Sequence, residues 1–155
     1  MIRFDQVQVG DALPELSYDV NATTVVLGAL AARDWRPMHH DHHFAVERQG
    51  VQDIFLNSPN QAAWLERFVT DWTGPKGRLG RLGFTMRNSV FPGDTMVIEG
   101  TVRDMEVDDT GCGWVTIDLT IRVGDRLCTQ SFAKVAVPTS ADDNPWDRRA
   151  ERWAP

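Results

Sequence analysis

All four histidines of this chain fall within five positions, His39, His40, His42 and His43, with Asp41 between them and Asp34 a short way upstream. Imidazole and carboxylate are the groups that exchange protons near neutral pH or bind metals, so three readings compete. The first is a solvated polar loop. The second is a metal site. Neighbouring histidines in a loop point in different directions, and no Cys- or Glu-rich segment stands by to complete a shell. The third is general acid–base catalysis by one histidine and one carboxylate. Asp41 has two uses: it orients His39, or it caps a helix starting at His42. His40, His42 and His43 read as surface groups, and Cys112 and Cys128 as structural, since no base motif flanks either thiol.

Elements on both sides must position this loop. Asn21 is placed to cap a short helix over 22–32, which has to stop before Pro37. Residues 34–41 form the loop, and a helical turn over 42–48 ends at Gly50. The apolar stretch Asp53-Ile54-Phe55-Leu56-Asn57 leads to Ser58, an expected N-cap with Pro59 in the first turn. Ala62, Trp64, Leu65, Phe68, Val69 and Trp72 then recur at helical spacing and stop at Gly74-Pro75. That stripe, aromatic residues included, reads as core.

The second half changes to a period of two. Strands are expected over 15–20, 79–90, 95–107, 113–123 and 127–137, with Asp-Gly-type turns between the later ones. Val115, Ile117, Leu119, Ile121 and Val123 should face the core, and Trp114, Thr116, Asp118, Thr120 and Arg122 the other side. One long amphipathic helix followed by long antiparallel strands is an α+β pattern. Residues 1–137 read as one domain. Residues 138–155 read as a polar extension lying on the surface or on a partner.

Two motifs carry a family resemblance. The stretch Asp34-Trp35-Arg36-Pro37-Met38-His39 resembles the D-x-N-P-x-H signature of MaoC-like dehydratases and (R)-specific enoyl-CoA hydratases. Ser89-Val90-Phe91-Pro92-Gly93-Asp94-Thr95 looks like the P-G-D-T corner of the same family. The segments around Ala32–Asp41, Asp53–Asn57 and Arg67–Pro75 are similar to the small subunit of actinobacterial steroid side-chain enoyl-CoA hydratases. The resemblance implies a hot-dog fold, a curved antiparallel sheet wrapped around one central helix. It implies hydration of a trans-2-enoyl-CoA, with Asp34 and His39 catalytic and a bulky or steroid-like acyl group. It also implies a homodimer or a heteromer with a second MaoC-like chain. CoA is part of the substrate, and neither a cofactor nor a metal is expected.

By the same resemblance, His39 and Asp34 activate a water, and one of the two, Asp34 ahead of His39, returns a proton to Cα. Backbone N–H groups at Asn57 or Ser58 then hold the thioester oxygen at a helix N-terminus. Arg36 stands where most of these enzymes have Asn, and Asn57 where most have Gly, so straight-chain preferences do not transfer. Arg36 is expected to pair with Asp34 or Asp41, or to reach a CoA phosphate or a polar group of the substrate. Two other readings stay open: a non-catalytic hot-dog subunit completing a partner's pocket, and an acyl-CoA thioesterase.

Composition narrows the field further. With 16 basic against 22 acidic residues, the net charge of −6 argues against nucleic acid and against an anionic membrane surface. Hydrophobic residues at 42% suit a globular protein with a real core. Two cysteines are too few for a disulfide framework, and no secretory signal or bilayer-spanning run is visible. A cytoplasmic location is expected.

Overall fold

β-branched and aliphatic residues alternating with polar ones build one sheet. The computed structural model describes all 155 residues. In chain order the elements are β1 (Leu16–Asp19), α1 (Ala22–Ala31), α2 (His42–Glu47), α3 (Ser58–Thr73), β2 (Arg78–Met86), β3 (Thr95–Val107), β4 (Gly113–Val123) and β5 (Arg126–Val137). The five strands are ordered β1-β3-β4-β5-β2, and every pairing is antiparallel. The Gly124-Asp125 turn joins β4 to β5 with Val123 opposite Arg126, and Gly124 takes a φ of 54° that suits glycine.

The sheet packs against α3 in the hot-dog manner. Leu65, Phe68 and Val69 of α3 join Met96, Ile98 and Val102 of β3, Val115, Ile117, Leu119 and Ile121 of β4, and Ala133 and Val135 of β5 in one core. Each fully buried aliphatic side chain of this kind contributes about 1.5–3 kcal/mol. Trp64 and Trp72, expected in the core, are only half-buried, since they sit at the margins of the α3 stripe. Trp64 packs on Tyr18 of β1 at 4.5 Å. Buried Gln61 accepts a hydrogen bond from the Thr129 hydroxyl and so ties α3 to β5.

Several expectations shift. Asn57, not Ser58, is the N-cap of α3: its Oδ1 accepts from the Asn60 N–H at 3.0 Å, and Ser58 and Pro59 form the first turn. The strand expected over 79–90 ends at Met86, because the N–H groups of Arg87 and Asn88 both turn to the Cys128 carbonyl. Gly28 inside α1 is explained by packing. A Cβ there would lie 1.8 Å from the Asn60 side chain, so only glycine lets α1 close on α3.

Trp114, expected on the polar face of β4, is fully buried. The extension covers it. Trp153 packs on Trp114 at 4.9 Å, and the Arg78 guanidinium sits 3.6 Å from the Trp153 ring centre. Arg148 is buried and donates to the carbonyls of Thr110 and Gly111 and to Asp143. Residues 138–155 therefore lie on the chain's own sheet. Both cysteines are free and buried, and burial raises their thiol pKa values. No helix is long and apolar enough to cross a membrane.

Candidate active site

The end of α1 delivers Asp34. Arg33 adopts a left-handed φ of 54°, which reverses the chain, and the Asp34 N–H donates back to the Ala29 carbonyl at 2.9 Å. A single 3₁₀ turn over Pro37–His39 follows, with proline at its first position. That turn brings His39 back beside Asp34. His39 Nε2 lies 3.6 Å from Asp34 Oδ2, with the His39 side chain 5% exposed and the Asp34 side chain 18% exposed. The two groups that the family resemblance singles out thus share one site, with the carboxylate open on one side.

The second ring nitrogen fixes what His39 can do. Nδ1 lies 2.8 Å from the Phe55 carbonyl oxygen. A carbonyl only accepts, so Nδ1 carries the hydrogen. In the neutral ring, Nε2 is then left as a lone pair facing Asp34. Phe55 also meets the His39 ring edge-on at 4.9 Å and reaches Phe91 at 6.1 Å. Phe91 belongs to the Pro92-Gly93-Asp94 corner. There the Asp94 carboxylate accepts from the Phe91 N–H and pairs with Arg126 at 2.7 Å. The corner joins the approach to α3 through Leu56 N–H donating to the Val90 carbonyl. Both sequence motifs thus converge on the segment that leads into α3.

Asp34 is held at both oxygens. Oδ2 accepts from the Asn57 side-chain amide at 3.0 Å, and Oδ1 accepts from the Arg36 N–H at 3.3 Å. The Asn57 amide lowers the pKa most; burial opposes it, and the Arg36 N–H and the charges of His39 and Arg36 add to the lowering. The carboxyl therefore sits below the ordinary carboxylate range. Asn57 itself is buried, and its backbone N–H donates to no protein acceptor. Ser58 is half-buried in the first turn of α3, beside it.

Arg36 departs from one expectation. Its side chain is exposed and forms no ion pair with Asp34 or Asp41; only its main chain contacts Asp34. Asp41 caps α2 by accepting from the Phe44 N–H at 3.0 Å. His40, His42 and His43 are exposed, and His42 pairs with Asp53 at 2.8 Å. No group of three or more His, Cys, Asp or Glu side chains converges anywhere on a ligand geometry. The Phe55 carbonyl and the Asn57 amide were not legible as partners of this pair, since neither contact follows from spacing.

Known proteins now bear on the site. No protein-family profile matches the chain. The 3-oxo-4,17-pregnadiene-20-carboxyl-CoA hydratase beta subunit of Mycobacterium tuberculosis is 35% identical over 121 residues, 77% of this chain and 89% of that protein. The chain belongs to the MaoC-like hydratase family. A chain in the crystal structure of the ChsH1-ChsH2 complex from the same organism superposes with a TM-score of 0.76 at 31% identity. That match covers 84% of this chain and 98% of the other. The (R)-hydratase from A. caviae involved in PHA biosynthesis shares the fold, with a TM-score of 0.76, 22% identity, and coverage of 85% of this chain and 98% of the other.

Proposed function

We propose that this protein is an enoyl-CoA hydratase subunit that adds water across the double bond of a trans-2-enoyl-CoA with a bulky, steroid-like acyl group. The observation that carries the reading is the Asp34–His39 pair with Nε2 left as an acceptor by the Phe55 carbonyl. The similarity to a beta subunit named for a steroid carboxyl-CoA supports the substrate class.

The electrostatics of Asp34 shape the mechanism. A carboxylate kept below its ordinary range is ionised at rest, so it does not start as a stored acid. A water donates one hydrogen bond to Asp34 and the other to His39 Nε2. Asp34 takes a proton as the water oxygen bonds to Cβ, and the π electrons move onto the thioester as an enolate. The Asn57 and Ser58 N–H groups at the α3 N-terminus meet the enolate oxygen. Asp34 then passes the proton to Cα and is a carboxylate again. Nothing besides water and the enoyl thioester is consumed, and CoA enters as part of the substrate.

The working unit includes a second hot-dog chain. β2 is paired only with β5, and its other edge is free along nine residues. A long unpaired edge invites another strand. The likeness to a chain of a two-component complex favours a heteromer over a homodimer.

The assay is direct. Loss of enoyl-CoA absorbance without release of free thiol identifies hydration. Thiol release identifies a thioesterase. Neither, in the presence of the partner chain, identifies a non-catalytic subunit and overturns the proposal.

A further inference from the structure

We propose that the Asn57 carboxamide is a positioning residue that fixes Oδ2 of Asp34 against Nε2 of His39 and ties that geometry to the first turn of α3; this rests on the hydratase reading above. The argument is one of satisfied donors and acceptors. Asn57 is 2% exposed, so each end of its amide needs a protein partner. Its Oδ1 takes the Asn60 N–H, which only an oxygen can do. That sets the orientation of the amide and leaves Nδ2 pointing at Asp34 Oδ2, the oxygen that faces His39. One planar group therefore sets the helix entry and the aim of the carboxylate together.

The support extends past Asn57. Asn60, one turn on, donates its own side-chain amide to the Thr24 carbonyl of α1 and packs against Gly28. Two buried amides in series link α1, which delivers Asp34, to α3, which holds it. The titratable and charged groups facing Asp34 are His39, from the 3₁₀ turn, and Arg36 of the loop. The Arg36 contact with the carboxylate is a main-chain N–H, which a change at position 57 does not remove.

The roles of cap and aim separate by substitution. Asn57→Ser keeps an N-cap oxygen but is too short to reach Asp34. Asn57→Asp caps equally well, yet puts a second carboxylate where the amide was. In the enzyme assembled with its partner, Asn57→Ser should melt close to the parent, and Asn57→Asp, which sets two buried carboxylates side by side, should melt lower. kcat should fall by up to about 100-fold with KM little changed, because misaiming a reacting group acts on the chemical step. The Asp34 carboxyl, followed by carbon NMR across an acid titration, should titrate at higher pH in Asn57→Ser and higher still in Asn57→Asp. An unmoved titration would overturn the proposal, whether kcat and melting temperature changed or not. The NMR titration needs no turnover. A protein that fails to hydrate enoyl-CoA but shows the shift refutes the hydratase reading and leaves the Asn57–Asp34 coupling standing.

Discussion

Nδ1 of His39 and the main-chain carbonyl oxygen of Phe55 lie 2.8 Å apart, a contact that requires the hydrogen on Nδ1. The ring is 16 residues from that carbonyl in sequence and is brought to it by the 3₁₀ turn at Pro37–His39. The contact converts a buried histidine into an acceptor aimed at a carboxylate. Nitrogen-detected NMR of the neutral His39 ring should therefore show a protonated Nδ1 and an unprotonated Nε2. A hydrogen on Nε2 in the neutral ring would contradict the assignment and leave no lone pair for water.

Arg36 should act chiefly on binding, since its charge is the smallest of the influences that lower the Asp34 carboxyl. Its guanidinium makes no ion pair in the chain, so Arg36→Ala should move the melting temperature by no more than about 2 °C. Losing one charged contact to the substrate, worth about 1 kcal/mol, should raise KM about fivefold with kcat held. Unchanged KM would show that the side chain meets only solvent.

Asp108 staples the β3–β4 turn. Burial raises its pKa, but donations from the Thr110 hydroxyl, the Trp114 indole, and the N–H groups of Cys112 and Thr110 outweigh it and hold the carboxyl far below its ordinary range. A carboxyl lowered on folding adds stability above its unfolded pKa of about 3.9, and that stability is lost as pH falls through the folded value. Asp108→Asn should cost about 2 kcal/mol at neutral pH, about 4–8 °C in melting temperature. The gap should narrow on acidification below about pH 4. A gap independent of pH would show that shape, not charge, matters there.

Arg148 should be the strongest single hold on the extension. It pairs with Asp143 and donates to the Thr110 and Gly111 carbonyls while 5% exposed. Arg148→Ala takes the donor from both carbonyls and the only cation from a mostly buried Asp143, which keeps its hydrogen bonds from Thr139, at about 3 kcal/mol. Tryptophan emission should shift to the red as Trp153 lifts away and exposes Trp114. Parent-like stability and emission would show that the extension is loosely held.

The fold was legible where a period had no competitor. Alternation through β4 placed Val115, Ile117, Leu119 and Ile121 in the core, because one face of a strand is fixed by the other. Trp114 broke that rule because its cover, Trp153, comes from a segment whose path depends on Arg78 and Arg148. At the site, the loop motif singled out Asp34 and His39, and the structure brings them together. The partners that tune them could not be read. A main-chain carbonyl at Phe55 carries no side-chain signal, and the Asn57 amide meets Asp34 across 23 residues of sequence. For Arg36 the ion-pair branch of the expectation fails, because the loop turns the side chain outward and uses only its N–H on Asp34.

The central claim is that Asp34 and His39 act as one unit in hydration. Its most direct test is kcat for trans-2-enoyl-CoA hydration by the chain with its partner, measured for Asp34→Asn, His39→Ala, the double variant and His43→Ala. Each single change at the pair should cut kcat by at least about 100-fold, and the double variant should be little worse than either. His43→Ala, at an exposed position, should keep most activity. Near-normal hydration by Asp34→Asn, with His43→Ala inactive, would contradict the account.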